Sequence, residues 1–300
     1  ATATISDANT TAIDATALSA IGGKTSGAVT VTNAIAISGT QAEITAALVT
    51  TDTLVVAGTA TATISDANTT AIDATALSAI GGKTSGAVTV TNAIAISGTQ
   101  AEITAALVTT DTLVVAATAT VTSSDAMSVA EANAVDAKTS GVITATLDTG
   151  DTASYSTLTG TGNAYTVTVN DAGSTAITAT ALSTLGGKTT GTVTVSNAIA
   201  ISGTQAEVTA ALVTTDTLVV AGSATATISD ANTTAIDATA LSAIGGKTSG
   251  AVTVTNAIAI SGTQAEITAA LVTTDTLVVA GTATATISDA NTTAIDATAL

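Results

Sequence analysis

Along most of the chain, a short stretch with helical spacing of apolar residues is followed by one in which apolar and polar residues alternate, and the pair then recurs. Thr40-Gln41-Ala42-Glu43 is a capping box, and Ile44, Ala47 and Leu48 behind it fall at i, i+3 and i+4, which predicts a short amphipathic helix. Upstream, Thr10 or Thr11 is the expected cap of a second helix that carries Ile13, Ala17 and Ile21. Gly22-Gly23 stops it, with Lys24 beside its negative end. After each helix the period changes to two. Val29, Val31, Ile35 and Ile37 alternate with Thr30, Thr32, Ala34 and Ala36, and Val56, Ala60, Ala62 and Ile64 alternate with Ala57, Thr59, Thr61 and Thr63. These predict half-buried strands, with Asn33 and Gly58 marking corresponding corners where one strand segment bends into the next.

The pattern repeats almost letter for letter. Residues 1–59 recur at 60–118 with one change, Gly58 to Ala117, and recur unchanged at 224–282; residues 283–300 open a further, partial copy. Each 59-residue block divides into two related halves, Ser6 to Ile37 and Ser38 to Ile64. Ten complete half-repeats follow, beginning at Ser6, Ser38, Ser65, Ser97, Ser124, Asp148, Asn170, Ser202, Ser229 and Ser261. The half-repeats within 124–169 are shorter and divergent. They carry Met127, Tyr155 and Tyr165, yet Ser128-Val129-Ala130-Glu131 is again a capping box, so the register survives. A helix of about ten residues plus a strand cannot bury its apolar face alone and must stack on its neighbours. The expectation is one continuous array over 1–300, an α/β repeat solenoid of short Ala-rich helices and parallel strand segments. The chain starts in mid-repeat at Ala1 and stops at Leu300 inside the element that Ala1 to Leu18 opens, which reads as a window cut from a longer array.

Composition supports stacking over a closed globular core. Hydrophobic residues are 46% of the chain but aromatics only 1%, and Phe, Trp, Pro, Cys and His are absent, so Ala, Val, Ile and Leu must do the packing. Tandem immunoglobulin-like sandwiches are the rival architecture, but such domains need about 100 residues and usually an aromatic core. An outer-membrane barrel needs aromatic girdles that two Tyr cannot form. The net charge is −17 and the five basic residues are all Lys, which excludes nucleic acid as a partner and disfavours anionic lipid surfaces. Membrane insertion is not expected.

Little in the chain suggests chemistry. Without His or Cys there is no imidazole base, no nucleophile triad and no thiolate metal site. Paired carboxylates remain, but Asp7, Asp14, Glu43 and Asp52 recur identically with the block, which fits turn residues (Asp7, Asp52) and helix amino-terminal acceptors (Asp14, Glu43) better than a catalytic pair. No catalytic, cofactor-binding or metal-ligating residue is therefore singled out, and the chain is expected not to be an enzyme. Calcium is the one cofactor that clustered Asp would suit, although neither an EF-hand spacing nor a Gly-Gly-x-Gly-x-Asp repeat occurs. Gly22-Gly23-Lys24-Thr25 echoes a phosphate loop but closes a helix where a phosphate loop opens one. Thr59, Thr61 and Thr63 point to one strand face, a surface type used in ice binding, though the rows are interrupted at Ala34 and Ala36.

Ile37-Ser38-Gly39-Thr40-Gln41-Ala42-Glu43, Ser128-Val129-Ala130-Glu131-Ala132-Asn133-Ala134 and the following Thr139-Ser140-Gly141-Val142-Ile143-Thr144-Ala145-Thr146 resemble the repeats of giant surface proteins of marine bacteria, particularly cyanobacteria. The resemblance covers essentially the whole chain, through low-complexity motifs. It implies a secreted, very long protein of adhesion, a surface layer or filament, or surface-linked motility, with no catalytic residue. Phage fibres of marine hosts use similar repeats. The expected function is an extracellular structural rod or filament, then an adhesin or phage-fibre stalk, then an ice-binding solenoid. Expected partners are further copies, end to end or side by side, together with surface polysaccharide or other cell-surface components.

Overall fold

The computed structural model describes residues 1–50, 54–109, 114–214, 219–273, 277–291 and 293–295. They fall into two compact units, Ala1–Thr146 and Leu147–Leu300. In the first unit, one block forms β1 (Ala3–Ile5), β2 (Ala12–Asp14), α1 (Ala15–Gly22), β3 (Val29–Val31), β4 (Ala36–Gly39), α2 (Gln41–Leu48) and β5 (Val55–Val56). The next repeats it as β6 (Thr61–Ile64), β7 (Ala71–Asp73), α3 (Ala74–Gly81), β8 (Val88–Val90), β9 (Ala95–Gly98), α4 (Gln100–Leu107) and β10 (Val114–Val115), before β11 (Thr120–Met127) and α5 (Val129–Asp136) open the divergent stretch. β12 (Ile143–Leu147) runs to the boundary.

The described strand pairs are parallel. In the first unit the orders are β1-β3-β5, β2-β4-β6-β8-β10 and β7-β9-β11. Partners lie one rung apart in sequence: Ala3 pairs with Val29, Ala12 with Ala36, Ala36 with Thr61. The helices α1 to α5 pack each on the next in chain order. Among the described residues no sheet closes on itself, so the architecture is an α/β repeat solenoid and not a series of antiparallel sandwiches.

The second unit uses the same grammar. After α6 (Thr152–Tyr155) and β13 (Ala164–Val169) come β14 (Ala176–Thr178), α7 (Ala179–Gly186), β15 (Val193–Val195), β16 (Ala200–Gly203), α8 (Gln205–Leu212), β17 (Val219–Val220) and β18 (Thr225–Ile228). β19 (Ala235–Asp237), α9 (Ala238–Gly245), β20 (Val252–Val254), β21 (Ala259–Gly262), α10 (Gln264–Leu271), β22 (Val278–Val279) and β23 (Thr284–Ile287) complete it. Strands stack as β13-β15-β17, β14-β16-β18-β20-β22 and β19-β21-β23.

The local logic is mostly as the pattern predicts. Thr40 caps α2 with a complete capping box, and Ile44, Ala47 and Leu48 are its buried stripe. Ser128 does the same for α5. Val29 and Ile35 are fully buried. Asn33 sits at a bend and Gly58 in a turn, at the expected corners. Gly23 closes α1 through its N–H to the Ser19 carbonyl at 2.9 Å while staying right-handed at φ −71°.

Two expectations are corrected. The first helix of each block starts later than Thr10 or Thr11: Asp14 is its N-cap, accepting from Thr16 N at 2.8 Å, and Ile13 belongs to β2, paired with Ile37. Thr10 holds φ +64°, incompatible with the extended cap conformation, and a carboxylate is the stronger acceptor for orphan N–H groups. The buried stripe of the equivalent helix α3 is accordingly Ala74, Leu77, Ile80 and Gly81. The second correction is Val56, which is 55% exposed, while Ala57 is buried. The turn at Gly58-Thr59 resets the phase, so Ala57 and Ala60 both face inward.

One corner holds successive rungs at close range. Thr84 Oγ1 donates to the Ala60 carbonyl, Gly86 N donates back to Thr84 Oγ1 at 3.0 Å, and Ser85 N donates to Gly58 O at 2.9 Å. The same knot recurs at Thr139-Ser140-Gly141 and Thr248-Ser249-Gly250. A Cβ on Gly86 would overlap the Ala60 carbonyl, so the strand cannot approach unless this residue is Gly. Gly58 has nothing within 4 Å of a built Cβ, and Ala already stands at the equivalent position 117. Gly86→Ala is expected to cost about 1–3 kcal/mol by overpacking, whereas Gly58→Ala is expected to be neutral or to stabilise by about 0.4–1 kcal/mol. Thermal or urea unfolding of the two variants checks the contrast.

Candidate functional site

Of the acids that might have carried chemistry, Asp14, Glu43 and the copies of Asp7 are engaged by backbone N–H groups. Asp66, the copy of Asp7, reaches from its loop to the preceding rung and accepts from Gln41 N at 2.6 Å, satisfying the first free N–H of α2. Asp125, Asp230 and Asp289 do the same for Gln100, Gln205 and Gln264, each at 2.6 Å. Asp171 serves the shortened helix α6 through Thr152 N at 2.8 Å. The Asp7 class is thus a cap across rungs as well as a loop residue, a role that local sequence does not reveal.

Asp14 and Glu43 stand at helix amino termini, as expected. Glu43 Oε2 accepts from Thr40 N at 2.7 Å, and Thr16 Oγ1 of the neighbouring helix donates to Oε1 at 3.3 Å. The Thr40 backbone N–H, then its hydroxyl, holds Glu43 below the usual carboxylate range, and Thr204 does the same for Glu207. The Thr75 and Thr239 hydroxyls, then their N–H groups, lower Asp73 and Asp237. Asp52 lies outside the described residues. Among the described residues no three His, Cys, Asp or Glu side chains gather where a metal ion would sit.

Two surface features depart from this uniformity. In the second unit α6 has a single turn where other helices have two, which leaves the flank of α7 open. The resulting cavity of about 490 Å³ is lined by Ala153, Tyr155, Ala181, Thr184, Leu185 and Lys188, among others. Tyr155 is held there by its hydroxyl, 2.6 Å from the Asp148 carbonyl and 2.8 Å from that of Thr168, and burial pushes its pKa up. Nothing in the sequence beyond the short, divergent half-repeat announced this groove. The second feature is a ladder on the outer face of the sheets. Register aligns Thr4, Thr30 and Val56 in one row, and Asp14, Ser38, Thr63, Thr89 and Val115 in another. Val56 and Val115 are 55% and 49% exposed.

No family model matches the chain, and neither the curated proteins nor the solved structures contain a match to it. Among the described residues no helix is long and apolar enough to cross a membrane.

The lowered carboxylates make a pH prediction. Each has a folded pKa below its unfolded value, so its contribution is fully present above the unfolded value, about 4.5 for Glu and 3.8 for Asp, and is lost as pH falls through the folded one. Stability is therefore expected to be flat from neutrality to about pH 5 and to fall below it. Glu43→Gln should reduce this acid-side slope in denaturant titrations. Asp66→Ala should cost about 1 kcal/mol at neutral pH, the usual loss of an amino-terminal cap.

Proposed function

We propose that this chain is a non-catalytic, extracellular structural protein whose repeats build a long rod or filament at a cell surface. The observation that carries the reading is the cross-rung bond from Asp66 to Gln41 N and its copies at Asp125, Asp230 and Asp289. A contact that links each block to the next with the same donor and acceptor adds rungs indefinitely by the same step. The copies of Asp7 are occupied in that linkage, Asp14 and Glu43 accept from N–H groups at their own helix amino termini, and the resemblance of the repeats to giant bacterial surface proteins supports the location. Further copies and surface polysaccharide are the partners that suit this role.

Two alternatives have their own support. The α6–α7 groove favours an adhesin or fibre stalk that holds a ligand at one interruption of an otherwise regular array. The outer Thr-Thr-Val rows favour ice binding, because β-branched side chains at strand spacing present a regular array of methyl groups.

Removal of residues 60–118, one whole block, distinguishes the rod from a functional globule. The shortened chain is expected to keep its circular dichroism per residue and to lose a fixed increment of length by small-angle scattering. A chain that unfolds, or that keeps its length, contradicts the proposal. Thermal hysteresis in the intact chain would move the assignment to ice binding, and turnover abolished by a single Asp change would overturn the non-catalytic reading.

A further inference from the structure

Two classes of asparagine recur in the repeats, and they differ both in structure and in the residue two places downstream. Asn33, Asn92, Asn197 and Asn256 spend Nδ2 on carbonyls of the preceding rung: Asn33 donates to Asp7 O at 2.7 Å, Asn92 to Asp66 O at 2.6 Å, Asn197 to Asp171 O at 2.8 Å and Asn256 to Asp230 O at 2.6 Å. Each is followed by Ala-Ile. Asn9, Asn68 and Asn232 are each followed by Thr-Thr, as is Asn291 in the partial copy. Asn9, Asn68 and Asn232 use only Oδ1, accepting from Ala34 N, Ala93 N and Ala257 N at 3.0 Å, and no described residue engages their Nδ2.

The second class sits where a large enzyme can reach it. Asn68 and Thr69 are the corner residues of a β-turn closed by Thr70 N to Ala67 O at 3.1 Å; Asn9 and Asn232 occupy the same turn, closed at 3.0 and 3.1 Å. All three asparagines are exposed. Thr at the second position downstream, with a residue other than Pro between, is the acceptor sequence for asparagine-linked glycosylation. From this conjunction we infer that the Asn9, Asn68 and Asn232 turns are N-glycan acceptor sites, repeated once per block along the loop edge. In the transfer, Nδ2 forms a bond to the anomeric carbon of an oligosaccharide carried on a polyprenyl diphosphate. The carbon–oxygen bond to the diphosphate breaks, polyprenyl diphosphate leaves and Nδ2 loses one proton. Oδ1 remains an acceptor throughout, so the bond from Ala93 N and its equivalents survives, and a glycan is compatible with the stacked loop. In the divergent copy, Gly173 replaces the asparagine beside Ser174, which keeps the turn at φ +66° and removes the acceptor.

The inference goes beyond the structural-rod reading and does not rest on it, because transfer is read in vitro. The folded full chain is incubated with an oligosaccharyltransferase specific for Asn-x-Ser/Thr and a polyprenyl-diphosphate oligosaccharide, with an unstructured Asn-Thr-Thr peptide as positive control. Intact mass is expected to show a ladder of whole glycans. Peptide N-glycosidase in heavy-oxygen water should leave labelled Asp at Asn9, Asn68 and Asn232. Asn68→Gln and Thr70→Val should each remove one step from the ladder, and Asn92→Gln should remove none. A modified control peptide beside an unmodified folded chain overturns the inference. So does modification only after the chain is denatured, or equal labelling at Asn33 and Asn92.

Discussion

A core without bulky side chains closes only if its layers come close together, and the other features of this fold follow from that need. The block core consists of Ala, Val, Ile and Leu: Ala15, Leu18, Ile44 and Ala47 are fully buried, as are Val29, Ile35 and Ile37. Small residues leave no means of filling irregular gaps, so each rung must repeat its neighbour's geometry. Close approach brings backbone polar groups together, and these are then bonded across rungs by Thr84, Asp66 and Asn92. The abundance of Thr, Asn and Asp is the polar counterpart of the scarcity of aromatics. Among the described residues no buried side-chain nitrogen or oxygen is left unpartnered.

How much of this was legible depends on the distance over which each signal acts. Capping boxes at Thr40 and Ser128 act within four residues and were readable directly, as was the burial of Val29 and Ile35. β2 was not, because three residues carry too little periodicity and its partner Ile37 lies a rung away. Ile13 fits a helical stripe as well as a strand, and only pairing decides. Val56 faces outward against the alternation because the turn at Gly58-Thr59 adds residues without adding strand, which a running alternation does not register. The role of Asp66 was invisible for the same reason as β2: its acceptor function is met 25 residues away.

The acids therefore have two readings that differ in scale. Locally each is a loop or cap residue. Across rungs, Asp66 and Glu43 join neighbouring elements, the latter through Thr16 on the adjacent helix. A strongly acidic chain ordinarily suffers self-repulsion in its compact state. Here many of the carboxylates lie against N–H groups at helix amino termini, where the positive end of the helix dipole offsets part of that repulsion.

Parallel pairing from rung to rung also has a mechanical meaning. The ladder hydrogen bonds run along the stacking direction while the strands lie across it, so tension along the stack opens the bonds of one rung at a time instead of shearing a whole strand. Ala3 pairs with Val29 and Val29 with Val55, so each rung that opens frees 26 residues. At ~3.4 Å per extended residue that is on the order of 90 Å of slack. Within each unit such a stack would yield in small, repeated steps under load and refold by local contacts when released, behaving as a shock absorber and not as a brittle strut.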